Sequence, residues 1–535
     1  MTLRSAFPPL DVPDVGLPRF VLGPADELGA HRDRTALVCA ATGLSLTYGQ
    51  LADGAGRVAA GLVARGIGLG DVVALFAPNT PAYPLVFFGV LSAGAVATTV
   101  NALYTPDEVA HQLRDSGARV LFTWRDGLER ARAAVRADGV RVGEIVLIDG
   151  PAPGTAGSVP ESALSDWLAD RAAPAPNAVV RGGDLAVLPY SSGTTGRPKG
   201  VMLTHRNLVA NTLQSMPLSR LGAGSVSLAV LPLFHIYGLT AIMSMALHRR
   251  ATVVTMPRFD LDALLGAIEK HRVDHVSVAP PLALALAKHP AVDGYDLSSV
   301  DVVLSAAAPL SREVAEAVTA RLGCTVLQGF GLTESSPALL GIPHDRPDVD
   351  RGSVGVLLPD VEARLVDPAT GLDVAPGEPG ELWCRGPNIM SGYLGNPAAT
   401  AEVLDADGFL HTGDLLTVDA DGVFHVVDRI KELIKYHGYQ VAPAELEAVL
   451  LTHPGIADAA VVGVADANGE EVPKAFVVRG PGGAGLDAAA VLAYVAARVA
   501  PHKKVRRVAF LDAIPKSPAG KILRRVLRAH PAPEN

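Results

Sequence analysis

The sequence predicts an α/β protein: a large N-terminal domain of layered α/β subdomains followed by a small C-terminal α+β domain. Three observations lead there. At 535 residues the chain exceeds what one ordinary hydrophobic core accommodates. Hydrophobic residues make up 49% of it, which argues for well-buried globular domains and against disorder. Short apolar strand-like runs alternate with helical stripes through much of the chain, the pattern of helices layered on largely parallel sheets.

Bulk properties narrow the function. A net charge of −9 gives no global attraction to nucleic acid or to an anionic membrane. Cys39, Cys324 and Cys384 are odd in number and far apart, which fits a reducing, cytoplasmic setting without a disulfide framework or zinc spacing. The opening MTLRSAFPPLDVPDVG has prolines and acids where a signal peptide needs an apolar core, and the closing APEN matches no peroxisomal or retention address. From Leu221 to His248 there is no Asp, Glu, Lys or Arg, a length that would span a bilayer. Pro232 and His235 break that stretch into halves, so a buried strand followed by a pocket-lining helix is expected, with no membrane span.

In chain order, Thr35–Cys39 and Leu44–Tyr48 read as strands, Gln50–Gly66 as a helix and Asp71–Phe76 as a strand. Pro84–Ala93 is an apolar helix and Ala95–Asn101 a further strand. The Gly/Pro/Ala-rich stretches at 150–160 and 172–176 are connectors. An apolar strand, Leu185–Leu188, then opens into PYSSGTTGRPKGVMLT. Its glycines let a loop turn and expose N–H groups, its hydroxyls add donors, and Arg197 and Lys199 add charge, which suits a polyphosphate. It is not the G-x-x-x-x-G-K-[ST] nucleotide loop, and in isolation it also reads as a polar surface loop.

LPLFHIYGLT gathers Pro232, His235, Tyr237 and Gly238, suited to the wall of a mostly apolar pocket, although a lone histidine there is more often a core residue. Strands at Thr252–Met256 and His275–Ala279 flank a helix, Leu261–Lys270. The strand Val302–Ser305 runs into three alanines, which leave space at its end. In QGFGLTE, Phe330 offers a stacking ring, Thr333 a phosphate donor and Glu334 a hard oxygen ligand for Mg²⁺; alone the segment is a Gly-rich turn before a helix. Asp414 ends GFLHTGD, at a turn where a carboxylate can accept two ribose hydroxyls or merely cap the turn.

Leu415–Val418 and Val423–Val427 form a hairpin pattern, after which the charged run Asp428–Glu432 marks a boundary between domains at 1–430 and 431–535. Beyond it, Pro443 opens an amphipathic helix. Strands follow at Ala459–Val464, Ala475–Val478 and Val505–Leu511, with a helix at Ala488–Val499. In the last segment, IPKSPAGKILRRVL, prolines and Gly520 hold Lys521 on a loop, although basic clusters are usually solvated faces.

SSGTTGRPKGV, GFGLTE, GELWCRGPNIMSGYL, HTGD, VVDRIKELIKYHGYQVAPAELE and IPKSPAGKIL together resemble, in order and spacing, the adenylate-forming superfamily. That superfamily holds acyl-CoA synthetases, peptide-synthetase adenylation domains and luciferases. With LPLFHIYGL, the chain looks most like 4-coumarate–CoA ligase-like enzymes. The resemblance implies an AMP-forming acid–thiol ligase that uses ATP, Mg²⁺ and coenzyme A. An aryl or arylpropenoic acid is the first expectation; a medium-chain fatty acid, or transfer to a carrier-protein phosphopantetheine, are the alternatives.

The same resemblance implies roles. Ser191, Ser192, Gly193, Thr194, Thr195 and Lys199 would hold the β- and γ-phosphates. Phe330, between Gly329 and Gly331, would lie against adenine, Thr333 would bind the α-phosphate, and Glu334 the magnesium. Asp414 would take the ribose hydroxyls beside Arg429. Lys521 would bridge substrate carboxylate and α-phosphate, and Lys431 would be the hinge about which the small domain turns. Lys435, Gly438 and Gln440 would line the CoA side. The acyl pocket would be formed by His235, Tyr237, Thr240, Ala306, Gly329, Pro337 and Ala338. Ala306 and Ser336 stand where plant ligases usually carry glycine; the added methyl at Ala306 is expected to narrow the pocket.

Overall fold

The computed structural model describes residues 2–23, 27–152, 158–170, 179–191, 198–436, 439–466, 471–480, 482–518 and 520–530. Among them, two mainly parallel sheets are layered with helices, as the alternating pattern predicts. One contains Val96–Val100, Val72–Phe76, Val120–Thr123, Glu144–Leu147 and Leu185–Ser191 as parallel neighbours. The other runs Thr325–Gly331, Val302–Ser305, His275–Val278, Val226–Ala229, Thr252–Thr255 and Thr35–Cys39, again parallel. Several of these strands are fully buried, which is why they read as continuous apolar runs.

Local chemistry sets the helix ends. Thr47 and Gln50 form a reciprocal capping box, so the helix starts at Tyr48, ahead of the expected Gln50. It packs against the apolar helix Ala82–Ser92, where Gly54 and Gly89 allow close approach: a Cβ on Gly89 would lie 2.5 Å from that of Val58. Leu221–His248 divides as expected, into the strand Val226–Ala229 and a helix whose first part, Tyr237–Ser244, is π-helical. No helix among the described residues is long and apolar enough to cross a membrane.

A third sheet, antiparallel throughout, was not separately expected. It joins Glu362–Val366, Gly380–Arg385, Leu410–Val418 and Phe424–Arg429. Its last two strands are the predicted hairpin, but the first begins five residues earlier than the apolar run suggests. Asp414 therefore lies inside a strand rather than at the end of a turn, because residues on either side of it pair with the neighbouring strands. The GFGLTE segment also departs from expectation. Gly329–Gly331 end a strand, Thr333–Ser335 make a single 3₁₀ turn, and the chain returns as the antiparallel strand Ala338–Gly341 instead of a helix. Gly331 packs so closely on the Pro337 carbonyl that a Cβ would overlap it.

After Arg429 come the short pair Ile434–Tyr436 and Tyr439–Val441, the helix Pro443–Leu451 and a three-stranded sheet of Ile456–Ala465, Glu471–Arg479 and Arg507–Phe510. The helix Ala488–Ala496 packs on the same apolar core. This is the α+β composition expected of the C-terminal part.

The two parallel sheets are tied together by Asn79, a 4% exposed residue beyond the strand Val72–Phe76. Its Nδ2 donates to the carbonyls of Ala229 (2.9 Å) and Leu231 (2.8 Å), and its Oδ1 accepts from Leu233 N at 2.8 Å. Thr99 adds a bond to Phe234 O at 2.8 Å. These bonds hold the segment that leads to His235. Asn79→Ala removes three buried hydrogen bonds to the backbone and is expected to destabilise the chain by about 2–4 kcal/mol. Urea unfolding followed by circular dichroism measures it, and an unchanged midpoint contradicts the assignment.

Candidate active site

A cleft opens where the strands Val302–Ser305 and Thr325–Gly331 end. Carboxyl ends of parallel strands are the usual place for ligands in such sheets. His235, Tyr237, Ala306, Gly329, Phe330, Gly331, Thr333, Pro337, Ala338 and Lys521 all line it. The lining is mainly apolar, with Leu218, Ile236, Ala241, Met245 and Leu304 completing the walls. Thr240 is not among the lining residues. The wide π-helical turn places Ala241 on the cleft, and Thr240 is buried in the protein.

Lys521 enters this cleft from the C-terminal part of the chain. Its loop is cross-tied by Ser517 N to Lys521 O (2.8 Å) and Leu523 N to Pro515 O (2.9 Å). Gly520 adopts φ +81°, and a Cβ there would come within 2.7 Å of Ala279, so glycine is needed both for the turn and for docking on the large domain. Burial is the largest influence on the ammonium and, helped by repulsion from Arg429, pushes its pKa down to about 8. Asp414 and Glu334 act in the opposite direction.

The strand register sets Asp414 directly opposite Arg429, with Nε donating to Oδ1 at 3.0 Å. Asp414 is 4% exposed. Desolvation raises its pKa, opposed by the charges of Arg429 and Lys521. His235 is driven down to about 3, first by burial and then by Lys521, so it is neutral at ordinary pH. Its Nδ1 accepts from Tyr237 N at 3.3 Å, which makes Nε2 the protonated nitrogen. The Tyr237 hydroxyl is committed to Leu304 O at 3.0 Å.

At the phosphate-loop side, Ser191 and Lys199 face each other across a strand pair. Ser191 Oγ donates to Glu334 Oε1 at 2.8 Å, and the Tyr393 hydroxyl donates to the same oxygen at 2.9 Å. Lys199 Nζ lies 4.8 Å from the Tyr393 ring centroid. Ser192, Gly193, Thr194 and Thr195 lie outside the described residues, as does Gly438. Ser336 takes a left-handed φ of +74°, the conformation glycine favours, and its Oγ donates to Asn388 O at 2.8 Å. Asn388 in turn donates to the carbonyls of Ser335 and Ala338.

Tyr393 and Asn388 stand in GELWCRGPNIMSGYL, a motif that pointed to the family but to no individual role. Their polar groups among apolar neighbours were the available signal. Other expected residues stay apart from the cleft. Lys435 and Gln440 are exposed register partners on a short strand pair, with Lys435 N donating to Glu471 Oε2 at 2.8 Å. Lys431 is an exposed turn residue.

Comparison with known proteins agrees with this geometry. The chain is 42% identical to 4-coumarate–CoA ligase 2 of Oryza sativa subsp. japonica, over 98% of this chain and 94% of that protein. It is 44% identical to 4-coumarate–CoA ligase-like 9 of the same plant, with the same coverage. Among solved structures it resembles the anthranilate CoA ligase AuaEII in complex with anthranoyl-AMP, with a TM-score of 0.88 and 26% identity over 97% of this chain and 98% of that one. It also resembles a benzoate CoA ligase from Burkholderia xenovorans LB400, with a TM-score of 0.85 and 28% identity over 96% and 99%. The family model for AMP-binding enzymes covers residues 25–394, and that for the AMP-binding enzyme C-terminal domain covers 445–521, the part that carries Lys521. With both models matched in order and the cleft between them built from their motifs, the chain belongs to the AMP-binding enzyme family.

Proposed function

We propose that this protein is an ATP-dependent acid–CoA ligase that activates an aryl carboxylic acid as its adenylate and transfers the acyl group to coenzyme A. One observation carries the reading: Lys521 lies in the same cleft as His235, Phe330 and Thr333, beside the Asp414–Arg429 pair. The coumarate–CoA ligases among its relatives and the benzoate and anthranilate ligases among its structural neighbours support an aryl acid. Three buried free thiols are compatible with a cytoplasmic location.

In the first half-reaction a carboxylate oxygen attacks the α-phosphorus, and the bond to pyrophosphate breaks as the new O–P bond forms. The Lys521 ammonium stabilises negative charge shared between carboxylate and α-phosphate. Phe330 stacks on adenine, Thr333 donates to the α-phosphate, and Asp414 accepts the ribose hydroxyls. Ser191, Lys199 and the loop between them hold the outgoing pyrophosphate. In the second half-reaction the CoA sulfur attacks the acyl carbon and AMP leaves. Lys435 and Gln440, now exposed, face CoA after the small domain turns about Lys431.

The residues fit a magnesium ion. Glu334 supplies a hard carboxylate whose Oε1 is steadied by two hydroxyls, while its Oε2 receives no hydrogen bond among the described residues. No group of three potential ligands gathers there among the described residues, which suits an ion that keeps phosphate and water oxygens as most of its shell. When bound, magnesium would neutralise charge on the nucleotide phosphates.

Lys521→Ala is expected to lose pyrophosphate release by at least about a hundredfold while still converting supplied acyl-AMP to thioester. Lys435→Ala should do the reverse. Loss of the same half-reaction in both variants refutes the division of labour. Because the cation is the active form of Lys521 and its pKa lies near 8, kcat/KM for ATP should be flat below that value and fall as pH rises through it. A profile still flat at pH 9.5 contradicts this. Tyr393→Phe removes one of the two bonds steadying Glu334. It should raise the magnesium concentration for half-maximal activity about threefold to tenfold, with the apparent KM for the acid within twofold. An unchanged magnesium requirement rejects that role.

A further inference from the structure

The cleft differs in character along its length. Lys521, His235 and Thr333 bring polar groups to it, whereas much of the remaining lining is aliphatic. His235 immediately precedes the helix that carries Ala241 and Met245, so these two residues lie progressively further along the wall. Leu218 lines the same region, packing on Gly341 and approaching Gly329, the residue paired with it. Gly329 lies two residues before the strand ends at Gly331, ahead of the turn that carries Thr333. This is the floor of the cleft.

Ser215 also lines the cleft, at the C-terminal cap of the helix His205–Gln214, three residues before Leu218. It is 1% exposed, and its hydroxyl has no hydrogen-bond partner among the described residues. Three residues earlier, Thr212 makes the ordinary bond back to Leu208 O at 2.8 Å; Ser215 makes none. Its neighbours are occupied. Asn211 bonds to Ala338, Gln214 to Pro359 O and Asn388, and the Tyr237 hydroxyl to Leu304 O. A buried hydroxyl left unpaired costs about 1–3 kcal/mol. This one is a single C–C rotation from choosing another direction, in a wall that is otherwise apolar.

We propose that Ser215 is the specificity-determining contact at the floor of the acyl pocket, hydrogen-bonding a hydroxyl substituent on the ring of an aryl acid at the end remote from its carboxylate. The proposal rests on the acid–CoA ligase reading. An acid held by its carboxylate at Lys521 extends its ring past Ala306 toward Ser215. A ring hydroxyl satisfies the serine, and an unsubstituted ring leaves it unpaired. The free enzyme carries an unmet polar group that the right substrate pairs, so discrimination comes from the bond made and from the penalty for not making it.

The test compares 4-hydroxycinnamate with cinnamate by pyrophosphate release, in the full chain and in Ser215→Ala. The parent should favour the hydroxylated acid in kcat/KM by about tenfold, and the variant should reduce that ratio to about twofold or less. Melting temperature should be unchanged or higher in Ser215→Ala, since the variant removes an unpaired group. A ratio that survives the substitution, or equal loss on both acids, overturns the assignment of Ser215. Use of both acids without preference by the parent overturns it as well, while leaving the ligase reading intact. Release of pyrophosphate with medium-chain fatty acids but with neither cinnamate overturns the aryl reading and this contact together.

Discussion

Everything in the cleft depends on burying the Lys521 ammonium close to a second cation, the partly exposed Arg429. Their repulsion and the cost of desolvation both lower the affinity of Lys521 for its proton. Asp414 and Glu334 offset this, and each is placed by a different device. Asp414 faces Arg429 because the hairpin register sets them opposite one another. Glu334 sits on a single turn between antiparallel strands and is steadied by Ser191 and Tyr393. The balance is made of long-range parts: strand register, a loop from the C-terminal part, and a glycine that lets that loop dock.

The same arrangement separates chemistry from recognition. Charged groups gather where Lys521 enters, whereas the walls beyond are aliphatic and aromatic. His235 stands between these regions and stays neutral, so it adds no third positive charge. Asn79 couples one parallel sheet to the segment that carries His235, so the position of the acid depends on the packing of both sheets. In the proposed cycle, withdrawal of the small domain removes Lys521 from the cleft while leaving the pocket floor in place.

Most elements were legible because their causes are local. Buried parallel strands read as apolar runs, and Pro443 announced its helix. Errors arose where pairing with distant strands overruled local pattern. Asp414 looked like a turn residue because HTGD is polar, yet pairing on both sides keeps it in a strand. GFGLTE looked like a helix entrance, yet its strand is drawn into a reversal against Ala338–Gly341. Thr240 missed the cleft because the helix is π-helical there, shifting which residues face inward. Asn79, Tyr393 and Ser215 went unassigned because their significance lies in partners made, or left unmade, far along the chain.

By itself, the sequence determined the chemistry on offer: a loop rich in hydroxyls and glycine, an aromatic beside a hydroxyl and a carboxylate, a lysine held on a loop, and an alternation that demands layered α/β structure. Those follow from residue type and spacing over short stretches. Tertiary structure alone decided which groups meet. The 329–334 segment and Lys521 are far apart in sequence, and only docking of the C-terminal loop brings that ammonium into the cleft. The pocket floor likewise exists only where a helix cap, a π-helix and a strand reversal converge. Such convergence is set by packing among distant elements, which a one-dimensional pattern does not encode.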